Sequence, residues 1–158
     1  MRLLLILLFI PFLSFSQTFN NIMRVDSKEQ FVRTMIENGY ERISNDDNQL
    51  VYGLNPTYDD DGEASSSAFA NYLQLDNGNA AVFLQFHLKN IIGGILDDTV
   101  YDKIFNIAKI RCDYDSLVEN VFDDSDEMVQ YRCNWNEEVR SIAFSKKDGT
   151  GYVYYIHF

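Results

Sequence analysis

One order of local signals occurs twice along the chain: a helix with a single apolar stripe, then two pairs of extended segments joined by polar turns. A chain that alternates in this way has few folds open to it, because hairpins pair antiparallel and the helices between them must cover the resulting sheet. In the first half, Asp26-Ser27-Lys28-Glu29 places an N-cap acid three residues before a Glu, the spacing of a capping box. Phe31, Val32, Met35 and Ile36 then share one helical face, and Asn38-Gly39 supplies a left-handed end, which predicts a helix over 27–38. Segments 40–44 and 49–54 flank Asn45-Asp46-Asp47-Asn48, and 69–75 and 81–88 flank Asp76-Asn77-Gly78-Asn79 with its tight-turn Asn-Gly. Between the two pairs lies 55–67, with Pro56, an Asp triplet and Ser65-Ser66-Ser67, a loop of a length that is either mobile or functional.

In the second half, Asp97 or Asp98 caps a helix over about 98–112 whose stripe is Tyr101, Ile104, Phe105 and Ala108. Segments 116–122 and 128–134 flank Asp123 to Glu127, and 139–145 and 151–158 flank Lys146 to Thr150. Two local echoes join the halves: Gln49 to Tyr52 against Met128 to Tyr131, and Val82 to Leu84 against Val153 to Tyr155. The expected fold is α+β, with two helices on one face of a seven- to eight-stranded antiparallel sheet, built from half-repeats at about 25–90 and 97–158. This element order is similar to that of secreted β-lactamase-inhibitor-type proteins. The resemblance covers order alone and carries no functional residue.

Met1-Arg2, the apolar run Leu3 to Leu13 and the small residues Ser14 and Ser16 before Gln17 have the charge, length and cleavage chemistry of a signal peptide. The run is too short for a spanning helix, which needs about 20 residues. Residues 1–16 are therefore expected to be removed, leaving 17–158 as one α+β domain, secreted or periplasmic. The last strand alternates and ends on Phe158, as outer-membrane barrel strands do. The remaining strands are shorter than the 9–11 residues such barrels use, so no membrane insertion is expected after cleavage.

Cleavage leaves 12 basic residues against 24 acidic ones, a formal charge of −12. Such a balance excludes nucleic acid, whose phosphates require Lys and Arg, and docking to an anionic membrane. The acids lie in small clusters beside turn signals, as solvated loops do. Aromatic and β-branched richness with few prolines agrees with a sheet-rich fold.

The residues offer little chemistry. Cys112 and Cys133 are the only cysteines, and export permits a disulfide. Alternation puts Val129, Tyr131 and Cys133 on one strand face, which the helix ending at Cys112 should cover. His87 and His157 fall near the ends of their strands without a ligand or catalytic partner at suitable spacing, and read as ordinary strand histidines. No Gly-x-Ser-x-Gly elbow or phosphate loop occurs. Asp59, Asp61 and Glu63 alternate as calcium ligands do, but Gly62 stands fourth where an EF-hand needs it sixth, and no Glu closes the loop. No cofactor or metal is expected.

Recognition has better support. Trp135 lies between two strands, and Tyr152 and Tyr154 fall on one face of the last strand with Tyr155 on the other. Tyr and Trp are favoured at the energetic centres of interfaces. These four are the candidate partner-binding residues, on a sheet face expected to be unusually aromatic. The expected function is a soluble exported non-catalytic binding or inhibitor-like protein whose partner is a protein or extracellular ligand. The alternatives are a small secreted hydrolase using carboxylates, or a calcium-dependent structural module.

Overall fold

A computed structural model describes residues 19–45, 49–75, 80–87, 100–120 and 126–157. Among these residues there are three helices: α1 (Phe19–Met23), α2 (Lys28–Glu37) and α3 (Val100–Arg111). Eight strands, β1 (Tyr40–Asn45), β2 (Gln49–Leu54), β5 (Ala68–Gln74), β6 (Ala80–His87), β7 (Asp113–Glu119), β8 (Glu127–Trp135), β9 (Glu138–Lys147) and β10 (Thr150–His157), form one sheet. Its order is β1-β2-β5-β6-β10-β9-β8-β7, and all pairs are antiparallel. The α+β fold expected from the sequence is therefore present. The signal segment, the turn residues Asp46-Asp47, Asn77-Gly78 and Asp123 to Ser125, and the helix-capping Asp97-Asp98 lie outside the described residues.

The two halves meet at β6 and β10. Val82 faces Tyr155, Phe83 faces Tyr154 and Leu84 faces Val153. If Val82 corresponds to Val153, the Phe83–Tyr154 pair maps onto itself, so a local two-fold axis runs through it. The edges obey the same relation. One extra residue interrupts β1 at Ile43, next to the Arg42↔Tyr52 pair, and one interrupts β7 at Asp115, next to Tyr114↔Tyr131. The echo of Gln49 to Tyr52 in Met128 to Tyr131 thus has a structural counterpart in register.

Helices α2 and α3 cover one side. Directly opposed residues share a face, so Tyr52, Ala70, Leu84, Val153, Phe144 and Val129 form one row across six strands. Phe31 of α2 packs edge to face on Tyr52 at 5.7 Å, and Phe105 of α3 on Phe144 at 5.1 Å. Both ends of the row therefore lie under helix. Gly151 in β10 makes the fit of α3 possible, since a Cβ there would stand 2.6 Å from the Tyr101 ring.

Strands β8 and β9 run to 9 and 10 residues, longer than expected from the sequence, and three further local features differ from that expectation. The α2 N-cap is Ser27, whose Oγ accepts from the Gln30 amide, while Gln30 Oε1 accepts from the Asp26 amide. The capping box is shifted by one residue because a hydroxyl at 27 reaches the third amide while the 26 carboxylate is drawn elsewhere. Helix α1 was not anticipated; Phe19, Ile22 and Met23 bury almost completely and hold it by packing. Within the loop at 55–67, β3 (Thr57–Tyr58) pairs with β4 (Ala64–Ser65) as a separate two-stranded sheet.

Candidate functional site

Among the described residues no helix lies on the other side of the sheet. Its central strands present Phe69, Asn71 and Leu73 from β5, Ala81, Phe83, Gln85 and His87 from β6, and Thr150, Tyr152, Tyr154 and Ile156 from β10. None of these eleven carries a carboxylate, Lys or Arg, on a chain of formal charge −11. The ordinary outward face of an antiparallel sheet is polar. Here Phe83 and Tyr154 stack at 4.7 Å with 29° between planes, and Phe69 meets the His87 ring edge to face at 6.3 Å. Burial raises the Tyr154 phenol above its ordinary pKa, which fits an apolar setting on this outward face.

Charge is confined to the margins of this face. Asp115, the extra residue of β7, holds Arg132 at 2.9 Å and accepts from Gln130 at 2.7 Å. Its counterpart Ile43 lies over Gly53, where an added Cβ would be 2.5 Å from the Ile43 Cδ1 and 2.9 Å from Ser66 Oγ. Bulges at both edges interrupt the free hydrogen-bonding rows, a device that disfavours addition of a further strand.

The four candidate residues separate. Tyr152 and Tyr154 lie on the open face, together as expected from alternation. Tyr155 faces the helices and is 1% exposed. Trp135 ends β8 on the helix side, partly buried, with its ring edge to face with Phe19 at 6.3 Å. It covers the core rather than standing free. Phe69 and Phe83 belong with the tyrosines and were legible from the same period of two.

Tyr155 instead belongs to a buried polar cluster that sequence reasoning missed. The Arg140 side chain is 5% exposed and donates to Tyr155 Oη at 2.8 Å, Glu138 Oε2 at 2.7 Å and the Met23 carbonyl at 2.6 Å, and it pairs with Asp26. Burial alone would lower its pKa; the bonds to Glu138 and Asp26 outweigh that and hold it above the ordinary value. Desolvation pushes the Tyr155 phenol up to about 12, with Arg140 opposing. The cluster ties the segment between α1 and α2 to the sheet. Its signal was present in sequence, since alternation puts Arg140 on the face of Ile142 and Phe144.

Cys112 and Cys133 form a disulfide with Cα atoms 4.4 Å apart. Extending the Asp113↔Arg132 register by one places them opposite each other across the β7–β8 edge, where the first half has Tyr40↔Leu54. His87 and His157 do not meet: His87 pairs with Thr150 and His157 with Ala80, at opposite ends of the β6–β10 pair. Asp59 spends Oδ1 on the amides of Asp61 and Glu63 within its own turn. Among the described residues no group of three or more His, Cys, Asp or Glu could hold a metal, and no helix is long and apolar enough to cross a membrane.

Comparison of the chain with protein-family models, with curated proteins and with solved structures finds no match. The likeness to inhibitor-type secreted proteins therefore stays one of element order.

Proposed function

We propose that this is an exported, non-catalytic binding protein that recognises an uncharged, apolar surface of a protein partner through the open face of its sheet. The observation that carries the reading is the charge-free aromatic patch Phe69, Phe83, Tyr152 and Tyr154 at the centre of that face, on an otherwise acidic chain. Aromatic side chains free of nearby charge supply contact area at low desolvation cost, the composition of an interface core. The signal-type N-terminus and the disulfide support export to an oxidising compartment. The bulged edges favour docking on the face over strand addition.

Photocrosslinking from position 152 in the native envelope tests it. One discrete adduct should form and should vanish with Tyr154→Arg or Phe83→Arg, while Ile110→Arg, at a residue 84% exposed on α3, leaves it intact. Equal crosslinking in all variants would remove the face from the proposal. A dimer that dissolves on Tyr154→Arg would make the occupant a second copy instead of a foreign protein.

A further inference from the structure

Very little chain separates the expected cleavage point from the folded domain. Gln17 and Thr18 precede the described residues, and Phe19 already opens α1 and is 1% exposed. Helix α1 is five residues long, too short to be stable by itself, so its contacts hold it. Phe19 stands edge to face with Trp135 at 6.3 Å, and Asn20 Oδ1 accepts from Arg111 at 3.1 Å. Asn21 donates to Asn38 at 3.2 Å, and the Met23 carbonyl accepts from Arg140 at 2.6 Å. Helix α3, the end of α2 and strands β8 and β9 are thus all tied to a helix that begins two residues after the new terminus.

Proteolysis concentrates at chain ends. An exopeptidase that acts on a free α-amine has only Gln17 and Thr18 to remove before it meets Phe19, a member of the hydrophobic core. Two further steps would take Asn20 and Asn21 with their bonds to Arg111 and Asn38.

Gln17 has the chemistry to block this route. A glutamine at the N-terminus, and only there, holds a free α-amine within reach of its own side-chain amide. Such amines titrate near about 8, so a fraction is neutral and nucleophilic at physiological pH. Closure gives a five-membered ring, with amine and carbonyl held together as in other fast intramolecular reactions. The amine nitrogen bonds to Cδ, the Cδ–Nε2 bond breaks, and Nε2 leaves as ammonia with the proton that the amine gives up. No oxidant, metal or second substrate enters the balance. Cleavage one residue earlier or later would leave Ser16 or Thr18 first, and neither can cyclise.

We propose that Gln17 is a modification site: the exported chain carries a pyroglutamyl N-terminus, which shields α1 from aminopeptidases. The proposal rests on removal of residues 1–16 and is independent of the open face. The lactam puts an uncharged amide in place of the α-ammonium and leaves no amine for such an enzyme to bind.

The protein is taken from its native envelope without reduction, and its intact mass and N-terminal sequence are determined. The expected chain is 17–158 with the disulfide closed and one ammonia lighter, silent in stepwise degradation until a pyroglutamyl peptidase opens it. A free Gln17 at full mass overturns the modification, whereas a chain that starts at any other residue overturns the cleavage reading with it. Gln17→Ala, which keeps a free amine, tests the shield. Incubated with a broad-specificity zinc aminopeptidase, this variant should lose its first residues through Phe19. The emission of Trp135, the only tryptophan, should shift as the Phe19 ring leaves it. The cyclised chain should keep both its mass and its emission. Equal trimming of the two chains, or a variant trimmed no further than Thr18, would overturn the shield.

Discussion

Phe83 and Tyr154 stack across the β6–β10 pair with ring centroids 4.7 Å apart, on the local two-fold axis that relates the two halves of the sheet. The contact is the only kind a self-mapping position allows, a pair of corresponding residues facing each other. It also sits at the centre of the uncharged open face. A stacked aromatic pair is worth about 0.5–1.5 kcal/mol beyond its area. A double-mutant cycle of Phe83→Ala and Tyr154→Ala, followed by chemical denaturation, should return a coupling in that range. A coupling near zero would mean that the rings do not pack on each other in solution.

Arg140 predicts a larger effect. Removing it leaves Tyr155 Oη and the Met23 carbonyl without their donor beneath α1 and opens a void among buried groups. Truncating one member of a buried hydrogen-bonded charge cluster costs about 3–5 kcal/mol, and the exposure of Glu138 and Asp26 puts Arg140→Ala at about 3 kcal/mol. Asp26→Asn keeps a hydrogen-bond acceptor at a residue 39% exposed and should cost about 1 kcal/mol. Equal losses for the two variants would contradict the hub role of Arg140.

Alkaline pH acts on the same cluster. A tyrosine whose folded pKa lies above its ordinary value of 10.0 contributes stability that is complete below that value and lost as the pH rises through the folded one. Burial sets Tyr155 at about 12 and raises Tyr40 and Tyr101 as well. Thermal stability should therefore hold below pH 10 and fall steeply between 10 and 12. Ultraviolet titration should show these phenols ionising together with loss of near-ultraviolet dichroism, not before it.

Gly151 tests the fit of α3 on the sheet. A methyl group there meets the Tyr101 ring backed by Phe105 and Phe144, with no flexible side chain to yield. Gly151→Ala should destabilise by about 1–3 kcal/mol, as overpacking does, and Tyr101→Leu in the same chain should recover part of the loss. Full stability of Gly151→Ala alone would show that α3 stands off the sheet.

The sheet and its two main helices were legible because Phe31 and Met35 repeat with the helical period and Tyr52, Ala70 and Phe144 with the period of two. The open aromatic face was legible for the same reason at Tyr152 and Tyr154. The period does not say which face a helix covers, so Tyr155 and Trp135 could be grouped with them from sequence. Helix α1 is five residues long, too short to show a period, and is stabilised by packing Phe19, Ile22 and Met23. The bulges at Ile43 and Asp115 arise from contacts between distant segments, which no local pattern encodes.

The disulfide gives the last prediction. It closes a loop with a sequence separation of 21, for which the chain-entropy description gives a stabilisation of about 3 kcal/mol. It also fastens the start of β7, an edge strand with exposed Tyr114 and Leu117, to β8 directly after α3. In the first half the corresponding place is filled by Tyr40, which buries to 5% exposure, and Leu54. The second half has a covalent link where the first has apolar packing, so cutting it should loosen β7 selectively. Cys112→Ser with Cys133→Ser should lower stability by about 2–4 kcal/mol. Hydrogen exchange should rise first in β7 and the end of α3, with β1 and β2 unchanged. Uniform acceleration across both edges would show that the bond acts only on the unfolded chain.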